Sequence, residues 1–501
     1  MASGSAVSAQ GLIRPRLTPA AGLAAVTLAV LAVHLVVAAA APLTEDEAYY
    51  RLWSLDPAWG YFDHPPMIAW WIWLGRQVAG DNGLGVRLLP ALAGAASALL
   101  TYDLARALGL AERTAARAGV WLSATVLMGL AGELAVPDAP NTLFWTAALC
   151  CAVRAARGGR AAWWLAAGAM AGLDCLSKYS ALFLAPGVLL WLALSADGRR
   201  QLRTPWPWLA SVIALAIFAP NVAWNAQHGW LTFAKQFGRI EAANGFAPAY
   251  LPKLILDQVV LLNPLIAVFV GLAIRGVATR GVAIGRRTAA WPALAVAAPF
   301  AAYLLVHSLH DAVQGQWPAP LYPLAAIAAA AAADGARGWL AGLRAAAAPL
   351  AFALYAAALL FVLSPSDAWL PFRDPSEQFR GWPAFFQQVE RARLGAGAAW
   401  VGAPTYGIAA QLAASPAIRA PAIEFLERER FTFETPAERA DFTRPGLILV
   451  PMRGKGGRAL RLCFADVQPL PEIDRGAGRS ATFYSVFRVA RPRRDVERAG
   501  C

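Results

Sequence analysis

The chain has 501 residues, of which 58% are hydrophobic and 15% are charged. Soluble domains carry about 25% charged residues, so this composition excludes an ordinary soluble protein and an intrinsically disordered one. The net charge of +13 does not indicate a nucleic-acid partner, because the arginines fall in short clusters between apolar runs. Cytoplasmic loops of membrane proteins have this pattern. The sequence therefore predicts an all-α polytopic membrane protein.

Eleven apolar stretches approach the roughly 20 residues that a helix needs to cross a membrane. They are approximately 20–42, 86–107, 117–136, 139–156, 161–176, 179–196, 206–223, 253–274, 290–308, 318–334 and 340–363. Arginine clusters and acidic loops alternate between them, and an excess of basic residues marks the cytoplasmic side. This alternation predicts a cytoplasmic N-terminus. The first stretch is longer than the apolar core of a cleaved signal peptide, so we expect it to remain as a span.

The composition changes after residue 363, where Pro, Arg, Glu and Asp return. Short apolar runs at 398–402, 447–451 and 483–489 indicate strands, and the segment 405–412 indicates a strand-to-helix turn. An odd number of spans places this tail outside the membrane. We therefore predict two domains, a membrane domain of residues 1–364 and a small extracytoplasmic α/β domain of residues 365–501. The five cysteines are too few and too scattered to indicate a disulfide framework.

The long outer loop 43–85 opens with three consecutive acids, Glu45, Asp46 and Glu47. Threonine followed by acids is a typical helix start, which gives Glu45 and Glu47 a structural explanation, and Glu47 is also an additional site candidate. Asp46 would share a helical face with Tyr49 and Tyr50. A carboxylate at the edge of the membrane can have its pKa raised by burial, which suits a general base.

The same loop continues to Asp63 and His64, which precede two prolines. Proline holds the residue before it in an extended conformation, so this pair is presented on a fixed backbone. The following aromatic segment is typical of a helix lying in the membrane interface. We favour a functional role for the pair over a purely structural one.

Further outer segments add polar residues on the same predicted membrane face. In each case a structural alternative exists: Asp138 can cap a helix, Lys178 can extend to the interface, and Lys235 with Arg239 can form an exposed pair. Cations near aromatic residues also suit an anionic headgroup. The additional candidates are Tyr50, Asn225 and His228, together with the rigid, aromatic segment 316–323.

Several of these motifs, in this order, resemble a known enzyme family. They are GYFDHPPM at 60–67, PDAP at 137–140, SKY at 177–179, WNAQHGW at 224–230 and QWPAPLYP at 316–323. Together with the acids after the first span, they resemble the glycosyltransferase family 39 and aminoarabinose-transferase-like group, enzymes of the bacterial inner membrane with the GT-C fold. The resemblance is strong over roughly 40–330. It is looser in the tail, through GWPAF and TYGIAAQLA.

The resemblance implies transfer of a sugar from a polyprenyl-phosphate donor on the periplasmic side. It implies that Asp46 is the essential carboxylate and that Asp138 is a second loop carboxylate. The implied residues near the donor sugar and phosphate are Asp63, His64, Lys178, Arg239 and Tyr322. The family's aminoarabinose transferases usually have lysine where this chain has His64, which leaves the donor sugar open, since a neutral histidine holds phosphate less firmly.

We therefore expect an inverting glycosyltransferase whose acceptor is a lipid, a glycan or a protein hydroxyl. No cofactor motif is evident in the sequence, although a divalent metal between Asp46 and the phosphate stays open. The main alternative is a transporter or flippase for a polyprenyl-linked glycan. Transporters place ionisable residues within spans and contain inverted repeats, whereas these acids and cations lie in outer loops. A third alternative is a non-catalytic membrane scaffold that displays the tail, but it gives the loop carboxylates no functional role.

Overall fold

The computed structural model describes residues 18–130, 132–158, 160–241, 245–285, 290–363, 377–431, 433, 442–452, 456–476 and 481–493. Side chains are described for the same residues except 239–241, 280–285, 290–291 and 456–459. Most of the described chain is helical, with a small sheet near the C-terminus. In chain order the α-helices are α1 (Pro19–Ala40), α2 (Glu45–Trp53), α3 (Met67–Ala79), α4 (Gly83–Ala107), α5 (Glu112–Ser123), α6 (Val126–Leu130), α7 (Asp138–Ala156), α8 (Ala162–Cys175), α9 (Leu184–Leu194), α10 (Ala196–Leu202), α11 (Trp206–Gln227), α12 (Leu231–Glu241), α13 (Tyr250–Leu261), α14 (Pro264–Gly285), α15 (Ala290–His307), α16 (Tyr322–Ala333), α17 (Trp339–Val362), α18 (Trp382–Gly395), α19 (Tyr406–Ala414) and α20 (Gly456–Cys463).

Within the described residues, four helices are long and apolar enough to cross a membrane: α1, α4, α11 and α17. Two further pairs of helical segments are each sharply bent: Tyr179–Leu194 with α10, and α13 with α14. If each pair is counted as one span, the number of candidate spans is six. The chain is thus a multi-pass membrane protein, but the count of eleven spans stays a prediction.

Two of the predicted spans are not continuous helices. The stretch 117–136 breaks after α5, where the Ala124 carbonyl accepts hydrogen bonds from Tyr355 Oη at 2.7 Å and from Asn263 Nδ2 at 3.3 Å. The stretch 253–274 bends by 116° between α13 and α14. Asn263 lies at this bend with a φ of 72°, a conformation that asparagine tolerates better than most residues.

The tail contains a five-stranded sheet. Its strands are β1 (Trp400–Ala403), β2 (Ala422–Glu424), β3 (Gly446–Pro451), β4 (Phe464–Arg475) and β5 (Thr482–Pro492). The order is β2-β1-β3-β5-β4, in which β1 is parallel to β2 and β3, while β5 is antiparallel to β3 and β4. The three predicted strands coincide with β1, β3 and β5, and the predicted turn leads from β1 into α19. Helices together with a small C-terminal sheet confirm the predicted fold class.

The tail packs directly on the loop after the first span. Tyr49 and Trp53 of α2 share one buried cluster with Ala409 of α19 and Leu447 of β3. A continuous core fixes α2 between the membrane helices and the tail, which holds its acidic first turn in place. The predicted domain boundary at 364/365 lies outside the described residues, and the division into two domains stays a prediction.

Candidate active site

The first turn of α2 is held by a capping box. The Glu47 N–H donates to Thr44 Oγ1 at 3.2 Å, and the Thr44 N–H donates to Glu47 Oε2 at 2.9 Å. Arg87 Nη2 also donates to Glu47 Oε2 at 2.6 Å, and both side chains are at most 1% exposed. Burial alone would raise the pKa of Glu47, but the Arg87 charge and these hydrogen bonds lower it below its usual value. Glu47 therefore fastens the helix to α4.

Asp46, on the same turn, faces a cavity of about 380 Å³. The cavity gathers side chains from α2, from the loop before α3, from α7, from the segment before α9 and from the tail. Six predicted site residues line it: Asp46, Tyr50, Asp63, His64, Asp138 and Lys178. Further lining residues include Tyr49, Tyr179, Ser180, Gln236, Phe300, Tyr303, Gln314, Gln316, Trp317, Tyr406 and Arg430.

The Asp46 carboxylate is bonded by a tyrosine from the tail. Tyr406 Oη donates to Asp46 Oδ1 at 2.7 Å. Burial raises the pKa of Asp46, and the nearby charge of Asp63 raises it further, while the Tyr406 hydrogen bond and the Arg430 charge act in the opposite direction. A partly buried carboxylate with a raised pKa and a fixed orientation suits proton transfer.

Asp63 forms a second polar centre in the cavity. Tyr49 Oη donates to Asp63 Oδ2 at 3.1 Å, and Arg430 Nη1 donates to the same oxygen at 2.5 Å. Burial raises the pKa of Asp63, and the Arg430 charge offsets this effect. Gln236 Nε2 donates to the Asp63 carbonyl at 2.5 Å, which fixes the loop backbone.

Arg430 belongs to the short 3₁₀-helix Arg428–Phe431 of the tail. Its guanidinium carbon lies 4.3 Å from the ring centroid of Tyr406 and 5.7 Å from that of Phe62. Its side chain is only 13% exposed. The aromatic rings and Asp63 therefore hold a largely desolvated cation at the cavity wall.

Lys178 supplies a second cation from the segment before α9. Its Nζ lies 2.6 Å from Asp138 Oδ1, and each side chain is 13% exposed. Sequence reasoning singled out these two residues separately, and the structure joins them as an ion pair. The cavity thus contains two cation–carboxylate pairs, Lys178–Asp138 and Arg430–Asp63. It also contains Asp46, whose carboxylate is hydrogen-bonded to Tyr406.

The remaining predicted site residues whose side chains are described do not line this cavity. Asn225 is buried, and its Oδ1 accepts from the Thr232 N–H at 3.1 Å. His228 stacks on Trp224 at the surface, and Lys235 Nζ lies 5.2 Å from the Phe62 ring centroid. Tyr322 Oη donates to Gln258 Oε1 at 2.9 Å. Glu47 is the anchor described above, and Arg239 lies outside the described side chains. Their roles at a phosphate stay predictions, without support from these contacts.

Sequence reasoning missed Tyr406 and Arg430 as site residues. Tyr406 lies in the TYGIAAQLA motif, which was noted only as part of the tail. Arg430 had no signal, because it sits in an alternation of acids and bases typical of a solvated segment.

The arrangement of the potential metal ligands bears on whether the site binds a metal ion. In the part of the chain that the structure describes, no group of three or more His, Cys, Asp and Glu side chains is placed to hold a metal ion. A divalent metal bridging Asp46 and a phosphate is therefore left as an open alternative, as it was from the sequence.

Comparisons with known proteins extend these observations. Residues 63–224 match the family described as dolichyl-phosphate-mannose-protein mannosyltransferase. Lipid A galacturonosyltransferase RgtD of Rhizobium johnstonii is 30% identical over 188 residues, which cover 36% of this chain and 38% of that protein. Polyprenol-phosphate-mannose–protein mannosyltransferase of Mycolicibacterium smegmatis is 28% identical over 228 residues, covering 38% of this chain and 44% of that protein. The chain therefore matches less than half the length of these two relatives.

The fold has a counterpart along nearly its whole length. The crystal structure of ArnT from Cupriavidus metallidurans in the apo state has a TM-score of 0.65 at 17% identity, covering 94% of this chain and 98% of that one. The same protein bound to undecaprenyl phosphate has a TM-score of 0.62 at 18% identity, covering 93% of this chain and 98% of that one. The resemblance predicted from the sequence is therefore confirmed: the chain has the GT-C fold of ArnT, and its residues 63–224 match the mannosyltransferase family.

Proposed function

We propose that the protein is an inverting membrane glycosyltransferase that moves a sugar from a polyprenyl-phosphate donor to an acceptor hydroxyl. The observation that carries this proposal is the cavity in which Asp46 lies with two cation–carboxylate pairs whose side chains are at most 13% exposed. Two of the comparisons support a lipid-linked donor. One relative is named as a polyprenol-phosphate-mannose–protein mannosyltransferase, and ArnT was solved bound to undecaprenyl phosphate. With such a donor, no nucleotide site is required.

In the proposed reaction, Asp46 accepts the proton of the acceptor hydroxyl. The acceptor oxygen then forms a bond to the anomeric carbon of the donor. The bond between this carbon and the phosphate oxygen breaks, and its electron pair leaves with the polyprenyl phosphate. Attack from the face opposite the leaving group inverts the configuration of the anomeric carbon. Tyr406 orients the Asp46 carboxylate through their hydrogen bond.

The leaving group is a phosphate anion, and its charge must be stabilised in the transition state. Arg430 and Lys178 are pre-positioned on the cavity wall by Asp63 and Asp138, so they need little reorganisation during the reaction. His64 lines the same cavity and adds a third cation when it is protonated. The apolar part of the cavity, including Leu182 and Phe300, suits the first isoprenoid units of the donor.

For localisation, we propose the bacterial inner membrane, with a cytoplasmic N-terminus and the cavity and tail on the periplasmic side. The alternation of basic and acidic loops supports this orientation. The acceptor is accordingly a lipid, glycan or protein hydroxyl on that side.

The test is the release of lipid phosphate from a labelled donor. Detergent-solubilised protein is mixed with envelope membranes and with undecaprenyl phosphate carrying mannose, galacturonic acid or aminoarabinose. We expect free undecaprenyl phosphate and a glycosylated product in equal amounts from one of these donors. A flippase would move the intact donor across reconstituted vesicles without cleaving it, and this result would refute the proposal.

A further inference from the structure

The loop 59–63, which carries Asp63, contains no helix or strand. Every second carbonyl group of this loop nevertheless accepts a hydrogen bond from a side chain of α11 or α12. The three bonds, written with the donating atom first, are Asn221 Nδ2 to Trp59 at 2.7 Å, Thr232 Oγ1 to Tyr61 at 2.6 Å and Gln236 Nε2 to Asp63 at 2.5 Å. Carbonyl groups pair in this alternating way along one edge of a β-strand, but here three side chains replace the neighbouring strand. We call Asn221, Thr232 and Gln236 the loop clamp.

Two members of the loop clamp are fully buried and are held by further hydrogen bonds. Asn221 and Thr232 are each 0% exposed. Tyr179 Oη donates to Asn221 Oδ1 at 3.0 Å, and the Thr232 N–H donates to Asn225 Oδ1 at 3.1 Å. Leaving a buried polar group without its partner is costly, so these bonds keep the clamp in one arrangement.

The loop approaches α11 more closely than a side chain at residue 60 would allow. A Cβ atom added to Gly60 would lie 2.4 Å from Trp224 Cε3 and 3.0 Å from Asn221 Nδ2. Glycine is used where a backbone has to approach another group this closely. Gly60 thus lets Asn221 reach the Trp59 carbonyl, and the geometry of the loop depends on its contact with α11.

The loop clamp connects α11 and α12 to a charged pair of the cavity. It fixes the backbone of Asp63, whose carboxylate accepts a hydrogen bond from Arg430 Nη1 at 2.5 Å. Asn221 and Thr232 are not among the described residues that line the cavity around Asp46, so they reach the reacting groups only through the loop. The direction of the Asp63 side chain, and with it the place of the Arg430 guanidinium, therefore depends on groups outside the cavity.

We propose that the members of the loop clamp are positioning residues: they hold the loop so that Asp63 keeps Arg430 directed at the leaving phosphate. This inference rests on the proposed function. In this role the clamp acts through Arg430, and its effect on the reaction should disappear when Arg430 is removed. A clamp that only supports the fold would instead lower stability and leave kcat of the folded protein unchanged.

Thr232→Val tests the clamp, because it removes the hydroxyl and preserves the shape of the side chain. The donor is the undecaprenyl-phosphate sugar that the unmodified protein cleaves. We expect kcat for the release of undecaprenyl phosphate to fall about ten- to hundredfold, since misplacing a catalytic group by about 1 Å has effects of this size. The KM for the donor should change less than about twofold, because the affected contact forms mainly in the transition state. Thr232→Ser retains the hydroxyl and should keep kcat within about twofold of the unmodified value.

Thr101→Val is the matched control. Thr101 of α4 is also 0% exposed, and its Oγ1 donates to the Ser97 carbonyl at 2.7 Å. It is not among the described residues that line the cavity. Each valine variant loses one buried hydrogen bond, so the apparent melting temperature should fall in both. Only Thr232→Val should lose kcat.

A double-mutant cycle with Arg430→Gln identifies the group through which the clamp acts. In the Arg430→Gln protein, Thr232→Val should change kcat by less than about twofold. If Thr232→Val does not fold, Gln236→Met takes its place, since Gln236 is only partly buried. The inference is wrong if the effects of the two substitutions multiply, if the folded clamp variant keeps a normal kcat, or if it raises the KM for the donor instead. If the unmodified protein cleaves no lipid-linked donor at all, the proposed function fails, and this inference fails with it.

Discussion

Arg430 offers a sharp test of the proposed chemistry, because it comes from the tail and yet lines the cavity that contains Asp46. Its side chain is 13% exposed, so solvent and salt screen its charge only weakly. We expect Arg430→Gln to lower kcat for donor cleavage about 10²–10³-fold. This corresponds to about 2.7–4 kcal/mol, the usual effect of removing one pre-positioned electrostatic contact to a developing anion. Lys178 remains in the variant, so activity should be reduced and not abolished.

A double variant separates catalysis from structure. Arg430→Gln alone leaves Asp63, which is 5% exposed, without its guanidinium partner, and a buried unpaired charge is destabilising. Asp63→Asn/Arg430→Gln removes that charge as well. If Arg430 stabilises the leaving phosphate, the double variant should regain thermal stability but not kcat.

The assay measures release of undecaprenyl phosphate under saturating donor, together with the apparent melting temperature. Arg491→Gln is the matched control, because Arg491 also pairs with an aspartate in the tail but is 73% exposed and lies away from the cavity. The control should keep full activity. Recovery of kcat in the double variant would refute the reasoning, since it would show that Arg430 only neutralises Asp63.

Three further outcomes follow from other contacts. Asp46 must be ionised to act as a base, so activity is lost as the pH falls through its raised pKa. The hydrogen bond from Tyr406 favours the ionised form of Asp46. Tyr406→Phe removes this bond, so it should move the acidic limb of the kcat/KM profile to higher pH. An unmoved limb would contradict this role. Arg87→Met leaves the buried Glu47 without its ion-pair partner. It should lower the free energy of unfolding, measured by denaturant titration, by about 3–5 kcal/mol. A loss below about 1 kcal/mol would contradict the anchoring role of Glu47. Asp46 and Asp63 already accept hydrogen bonds from Tyr406 and Arg430, so the two carboxylates have partners without a metal ion. We therefore expect donor cleavage to continue in EDTA. Loss of activity that Mg²⁺ or Mn²⁺ restores would instead support a bridging metal.

Local patterns in the sequence were enough to predict several parts of the structure. The Thr-acid start of α2 predicts a capped helix, and the apolar runs of the tail predict β1, β3 and β5. Asp46, Asp138 and Lys178 were identified because they are polar residues at the ends of apolar stretches, and Asp63 because it lies just before two prolines in the first outer loop. These signals depend on neighbours within a few residues, which is why they can be recovered from one chain.

Features that depend on distant partners could not be predicted in this way. Tyr406 and Arg430 reach Asp46 and Asp63 across 360 and 367 residues of sequence. The break between α5 and α6 lies inside an apolar run, and only the folded chain brings Tyr355 and Asn263 to the Ala124 carbonyl. Hydropathy averages over such breaks, so it predicted one span where two helices form.

The central claim is that Asp46 is the general base in the cavity that it shares with Lys178 and Arg430. The most direct measurement compares donor cleavage and product formation by Asp46→Asn and by the unmodified protein at equal amounts in membranes. Asp56→Asn, in the same outer loop but exposed, is the control and should behave as the unmodified protein does. We expect Asp46→Asn to fold normally and to release undecaprenyl phosphate only at the background rate. Turnover by this variant close to that of the unmodified protein would contradict the account.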